Sequence, residues 1–274
     1  MKLFPNEDMN SDNNINNYFE KIFYCCSGCK EKTPEVKFDF KNMSQISRNN
    51  SSSYPTIKKY IRKDEKNKIK FSKNGILEFI NSLKKLDFSK KYESDSYKIS
   101  IRDSSILSKD SLLIRYEAII DKTLFQLEIP KITELFDAIK NPYKNVKWNI
   151  YNKEYIVIEN VEENIDIVKK ISVKQMNIIP EKEFYNKRIY FLNEGIMYYF
   201  TSSIPDSIYP PKDENYRGIN YFEIIVIKED NNNFLFDIFQ QIDIKMSIPN
   251  TILMMNLPEK LNDYFKKLIG FFNS

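Results

Sequence analysis

Residues 234–244 read Phe234-Leu235-Phe236-Asp237-Ile238-Phe239-Gln240-Gln241-Ile242-Asp243-Ile244, and this stretch decides the fold. Side chains alternate along a strand, so Phe234, Phe236, Ile238, Gln240, Ile242 and Ile244 share one side. Leu235, Asp237, Phe239, Gln241 and Asp243 share the other, with Lys245 if the strand runs on. The first side is apolar with a single amide in it; the second is mostly polar. A long apolar strand face needs a cover. The chain supplies one immediately afterwards: Met254, Leu257, Leu261, Tyr264, Phe265, Leu268 and Phe272 form an apolar stripe that predicts a helix from about 249 to 272. Pro258 would bend or restart that helix, with Asn256 as a candidate cap.

Strand patterns precede it over 154–159, 165–173, 184–192, 196–201 and 221–227. Asn193-Glu194-Gly195 reads as a tight hairpin, because Gly195 accepts a positive φ. Asp230-Asn231-Asn232-Asn233 is a second turn. Two further strands are predicted at 97–102 and 112–120. Ile129, Ile132, Leu135, Phe136 and Ile139 predict a helix with Pro130 in its first turn, ended by Asn141-Pro142. Ile76, Phe79, Ile80, Leu83 and Leu86 predict a helix of roughly four turns behind Ser72 as N-cap. The predicted class is α+β, a curved antiparallel β-sheet wrapped around a long C-terminal α-helix, over residues 71–274.

Residues 1–70 differ. Asn-rich and Ser-rich runs, such as Asn13-Asn14-Ile15-Asn16-Asn17, predict a largely flexible or partner-dependent tail. A short helix over 18–24 would carry Tyr18, Phe19, Ile22 and Phe23 as an apolar patch, so the tail is a candidate site for a protein partner.

The chain holds 274 residues and no histidine. The commonest general base and metal ligand is therefore missing, and Ser-His-Asp or Cys-His catalysis cannot be assembled. Its five glycines are too scattered for a phosphate-binding loop. No catalytic, metal or cofactor site is expected. A net charge of +4, from 42 basic and 38 acidic residues, does not suggest a nucleic-acid partner; it suits loose attraction to an anionic lipid surface.

Cys25, Cys26 and Cys29 are an odd, local set, poor as a disulfide framework, so a cytoplasmic or other reducing compartment is expected. Free thiols, S-acylation with peripheral membrane association, and a metal site are three readings of the cluster; three thiolates leave a tetrahedral metal shell open. The stretch from Met1 to Glu7 shows no long apolar run, which predicts no secretory leader.

Several short motifs fall in an order that resembles one family. Ile129-Pro130-Lys131 leads into a helix before Trp148-Asn149, and Tyr155-Ile156-Val157-Ile158-Glu159 follows. Lys182-Glu183-Phe184, Ser202-Ser203 with Pro205 and Pro210-Pro211, Tyr216-Arg217-Gly218, and Asp243 through Ser247-Ile248-Pro249 come next. Over about residues 72–273 this resembles the START (StAR-related lipid-transfer) domain, the helix-grip fold. The chain departs from that pattern in having Asn149 for an Asp, Lys-Glu-Phe for Arg-Asp-Phe, and no glycine before Ile248-Pro249, as in a divergent member.

The resemblance implies one lipid or sterol held in a tunnel between the sheet and the last helix. Head-group candidates are Gln240, Arg115, Arg188, Tyr199 and Arg217. Gln240 ranks first because it interrupts an apolar face, and a buried amide needs partners. Arg115 and Glu117 read equally as a surface ion pair, and Arg188 and Arg217 as plain surface. Trp148, Phe236, Ile238, Met254, Leu257 and Leu261 are candidate lining, with Trp148 also readable as a core anchor. Met176, Ile178 and Ile179 would make residues 174–182 the tunnel's gate. Three functions compete: a lipid carrier or sensor, a non-enzymatic scaffolding subunit reusing the fold, and a hydrolase or cyclase working through carboxylates, lysines or tyrosines.

Overall fold

The computed structural model describes residues 62–63, 69–70, 72–102, 111–175, 179–206, 208–210, 216–246 and 255–274, all within the compact unit Thr56–Ser274. The expectations for the 18–24 helix and the cysteine cluster lie outside the described residues, as do Met176, Ile178 and Met254.

The described chain begins with a two-residue ladder, β1 (Arg62–Lys63) against β2 (Ile69–Lys70), inside the segment read as tail. Helix α1 (Lys73–Lys84) follows. Ser72 caps it as predicted, its hydroxyl accepting from the Gly75 N–H at 3.1 Å. Ile76, Phe79, Ile80 and Leu83 form its buried stripe.

Nine strands then build one antiparallel sheet: β3 (Ser89–Glu93), β4 (Tyr97–Arg102), β5 (Leu113–Asp121), β6 (Asn152–Glu162), β7 (Ile165–Ser172), β8 (Glu183–Asn193), β9 (Ile196–Ser203), β10 (Ile219–Glu229) and β11 (Asn233–Asp243). Their spatial order is β3-β4-β5-β11-β10-β9-β8-β7-β6. Glu194 (φ 51°) and Gly195 (φ 74°) join β8 to β9 through the predicted tight turn.

Between β5 and β6 lie α2 (Ile132–Lys140) and α3 (Pro142–Trp148). Pro130 falls before α2 rather than in its first turn, because the helix starts behind Lys131, whose N–H reaches the Glu134 carboxylate at 2.8 Å. Asn141-Pro142 ends α2 as expected and also starts α3: the Asn141 side chain accepts from the Tyr143 and Lys144 N–H groups, and Pro142 occupies the first turn. The last helix is described as α4 (Leu257–Phe272), with Asn256 at its N-cap position and Pro258 in its first turn.

Both sheet faces are covered. On the concave face, α4 buries Leu261, Phe265, Leu268 and Ile269. Each contributes about 1.5–3 kcal/mol relative to exposure. Rings fill one end of the cup: Phe236 against Phe265 at 5.0 Å, and Phe125 between Phe234 and Phe272 at 5.9 Å from each. On the other face α1 packs with Phe222, Ile224, Leu113, Ile189, Phe200 and Phe239. The second side of β11 is therefore not the solvated polar face the sequence suggested: Phe239 and Gln241 are both fully buried there, with the Gln241 amide donating to the Ser111 hydroxyl at 3.0 Å. Among the described residues, no helix is long and apolar enough to cross a membrane.

Candidate functional site

The end of the cup left open by the phenylalanine plug is a cavity of about 340 Å³. Its walls are Ile114 and Tyr116 of β5, Ile238, Gln240 and Ile242 of β11, Ile225 of β10, Phe184 of β8, and Leu257, Leu261 and Tyr264 of α4. Asn152 at the start of β6 and, from the connections, Asn149, Tyr151, Gln175, Ile179, Lys182, Ile244 and Met246 also line it. The volume is near the lower end for small-molecule sites.

A polar row crosses this apolar face. Gln240 pairs with Glu223, Glu223 with Thr201, Thr201 with Arg188, and Arg188 with Asp166, one residue from each of five neighbouring strands. At about 4.8 Å per strand the row spans roughly 19 Å. Its far end is self-contained. Arg188 Nε donates to the Asp166 carboxylate at 3.1 Å and Arg188 Nη1 to the Tyr155 hydroxyl at 2.6 Å. Arg188 also bonds the Lys140 carbonyl at the end of α2. The Tyr155 and Tyr199 hydroxyls meet at 3.1 Å.

The near end faces the cavity. Glu223 and Gln240 line it, and Lys170 Nζ stands 3.9 Å from the Glu223 carboxylate. A bulge in β10 between Asn220 and Phe222 resets the alternation, so Asn220 and Glu223 both line the cavity while Phe222 packs under α1. Asn220 is 2 % exposed; its amide donates to the Thr201 hydroxyl at 2.7 Å, and its Oδ1 has no hydrogen-bond partner among the described residues.

Burial governs the ionisable groups here. It pushes the Tyr116, Tyr199 and Tyr264 hydroxyls well above the ordinary tyrosine range, with the Glu223 charge adding to each. Tyr151, at the rim, is pushed up to about 12 by burial and then by Asp263 and Glu259. Lys260, whose ammonium bonds the Gln175 amide oxygen, is lowered by burial. Among the described residues no group of His, Cys, Asp and Glu could hold a metal.

The sequence candidates divide accordingly. Gln240, Ile238, Leu257 and Leu261 line the cavity. Phe236 belongs to the plug. Trp148 is a core anchor: its indole N–H donates to the Ala138 carbonyl at 3.0 Å and its ring meets Tyr264 at 4.9 Å. Arg115 lies on the opposite face, gripping Asp237 with Nε at 2.9 Å and Nη2 at 3.1 Å, where Lys84 of α1 joins at 3.4 Å. The ion-pair reading fits that position and the head-group reading does not. Arg188 is not surface but 3 % exposed and sits in the polar row; Tyr199, 5 % exposed, reaches it through the Tyr155 hydroxyl, and neither lines the cavity. Arg217, at 1 %, stacks over Tyr185 at 4.6 Å and bonds Asp206 at 3.1 Å, so it too is structural.

The sequence reading missed Glu223, Asn220, Asn186 and Lys170. Glu223 carried a usable signal, a lone charge inside Phe222-Glu223-Ile224-Ile225-Val226-Ile227. Asn220 carried none, since the bulge alone turns it inward.

No family model and no curated protein matches the chain. Solved structures do. Human StAR-related lipid transfer protein 5 is similar at a TM-score of 0.61 and 16% identity, over 73% of this chain and 93% of that one. Human STARD10 is similar at 0.59 and 13%, over 73% and 81%. The lipid transfer and protein localization domain of human StarD13 follows at 0.52 and 10%, over 74% and 98%. Sequence identity this low speaks to the fold, and the fold of this chain is the helix-grip fold of the StAR-related lipid transfer (START) domains, in divergent form.

Proposed function

We propose that the protein is a non-enzymatic lipid-binding module that encloses the apolar part of one lipid or sterol between the concave sheet face and α4. The observation that carries this reading is the roughly 340 Å³ cavity, whose surface is mostly apolar, with polar side chains from the strands, the connections and α4 set among the apolar ones. That volume equals about eleven water molecules at ~30 Å³ each. An alkyl segment filling it gains about 0.8 kcal/mol per methylene, of order 9 kcal/mol before the cost of immobilisation. Binding therefore needs few polar contacts. The neighbouring fold is that of proteins whose names record lipid transfer. Binding is favoured over catalysis by the lack of any histidine in the chain, and burial moves the Tyr116 and Tyr264 hydroxyls still further from the range in which a phenolate acts as a base. Loading and release at a membrane surface in a reducing compartment complete the reading.

The test is displacement of a fluorescent acyl probe from the full chain. Substituting Ile238→Trp, which fills the cavity from β11, should weaken probe binding at least about tenfold while leaving the circular dichroism spectrum intact. Equal binding by the variant would refute enclosure at this site.

A second reading, an assembly subunit, is favoured by one observation: Ile156, Val157 and Ile158 are exposed at 44, 37 and 39 % on β6, the open edge of the sheet. Light scattering of the purified chain tests it, since association through that edge gives a mass above that of the monomer.

A further inference from the structure

We propose that the cavity selects a single-chain amphiphile with an uncharged head group that both donates and accepts hydrogen bonds, an alcohol or a carboxamide, seated at Asn220, Glu223 and Gln240. This rests on the enclosure proposed above and names its ligand class.

Three observations carry it. First, Asn220 is a built but incomplete site: 2 % exposed, lining the cavity, anchored by the Thr201 hydroxyl, with Oδ1 unpartnered among the described residues. A buried acceptor without a partner is costly, so such groups are normally satisfied. A ligand donor at this point removes that cost. If the amide is turned so that Thr201 donates to it, its N–H₂ faces the cavity instead, and a hydroxyl satisfies that arrangement equally. The β10 bulge that turns Asn220 inward places it and Glu223 on the same face, two strand positions apart where regular alternation would separate them.

Second, the charged groups of the polar row are paired with one another. Glu223 faces Lys170 at 3.9 Å, and the Arg188 guanidinium is held by Asp166 and Tyr155. Lys260 of α4, bonded to the neutral Gln175 amide, and Lys182, just ahead of β8, are further lining cations that lie outside the row. A phosphate or carboxylate head would meet the Glu223 carboxylate, and a quaternary ammonium cannot donate to Asn220. A hydroxyl or amide donates to Glu223 or Asn220 and accepts from the Gln240 amide, which stands directly across the ladder from Glu223.

Third, the size fits one chain. Room for about eleven methylene-sized groups takes most of a dodecyl chain with its head at the polar row and excludes two long acyl chains. The phenylalanine plug fills the cup beyond Phe236.

The experiment uses the full chain, stripped of lipid, and four ligands of one tail length: 1-dodecanol, dodecanamide, dodecanoate and dodecylphosphocholine. Dissociation constants are read by displacement of a fluorescent acyl probe. The alcohol and the amide should bind at least about tenfold tighter than the carboxylate and the phosphocholine, because a site with buried polar groups penalises a mismatched head. Asn220→Leu should weaken dodecanol at least about tenfold and change dodecanoate by less than about threefold. Glu223→Gln, an isostere that keeps the fold if Asn220→Leu does not, should bring dodecanoate to within about threefold of dodecanol. Equal affinity for all four heads, or an unchanged alcohol-to-carboxylate ratio in the folded variants, overturns the head-group assignment while leaving enclosure standing. Failure of all four ligands to bind overturns enclosure, and this inference with it.

Discussion

Gly218→Ala is the most revealing single change. Gly218 follows Arg217 in the segment bonded to the start of β8, with its N–H on the Glu183 carbonyl at 3.0 Å. A Cβ built there would stand 2.3 Å from Cε1 and 2.5 Å from Cζ of Phe184. Ordinary contact begins at about 3.4 Å, so the ring must move by roughly 1 Å. Phe184 is 7 % exposed and lines the cavity, which is the open space beside it. The ring should therefore intrude into the cavity. Overpacking of this kind costs about 1–3 kcal/mol. With a urea m-value of about 2.5 kcal/mol/M, the midpoint should fall by about 0.4–1.2 M. Phe184→Ala alone should cost about 3–5 kcal/mol. In the double variant the new methyl occupies vacated space, so the combined cost should fall short of the sum by at least about 1 kcal/mol. The assay is urea unfolding of the four proteins, with probe displacement on each. Additivity within about 0.5 kcal/mol, or unchanged probe affinity in Gly218→Ala, would refute the reasoning.

Other expectations concern the polar row, the tyrosines and the first cap. Asp166→Ala leaves the Arg188 guanidinium buried without its carboxylate, at a cost of about 3–5 kcal/mol in urea unfolding. Replacing both, Asp166→Leu with Arg188→Met, should recover most of that loss; a single variant within about 1 kcal/mol of the parent contradicts the buried-pair account. Tyr116, Tyr199 and Tyr264 have folded pKa values raised by burial, and Tyr151 is raised to about 12. Unfolded tyrosines ionise near ~10. Their contribution to stability is thus complete below about pH 10 and lost as pH rises through the folded values. Absorbance at 295 nm should show these phenols ionising only with alkaline unfolding; full ionisation near pH 10 in the folded state would contradict their burial. Ser72→Ala should cost about 1 kcal/mol through loss of the α1 cap. No shift in the thermal midpoint would contradict the capping role.

Local signals were readable from the sequence where the cause is local. The Ser72 cap, the Glu194-Gly195 turn and the alternation of β11 each follow from a few adjacent residues, and each appears where expected. Short elements with polar composition were not readable: β3 (Ser89–Glu93) has little apolar content, and α3 begins on a proline that also ends α2. The larger failures depend on distant partners. Phe239 and Gln241 look like a solvated strand face until α1, some 155 residues earlier, is laid over them. Arg188 and Arg217 look like surface until Asp166, Tyr155, Tyr185 and Asp206 enclose them. In the cavity, Gln240 stood out because it interrupts a regular alternation. Asn220 did not, because the irregularity that exposes it to the cavity is a bulge fixed by pairing with β11.

The central claim is that the cup holds a lipid. We would purify the full chain from a eukaryotic host and extract it for lipid mass spectrometry. One lipid species at about one molecule per chain is the result the account predicts. A folded, monodisperse protein that yields no lipid would contradict it.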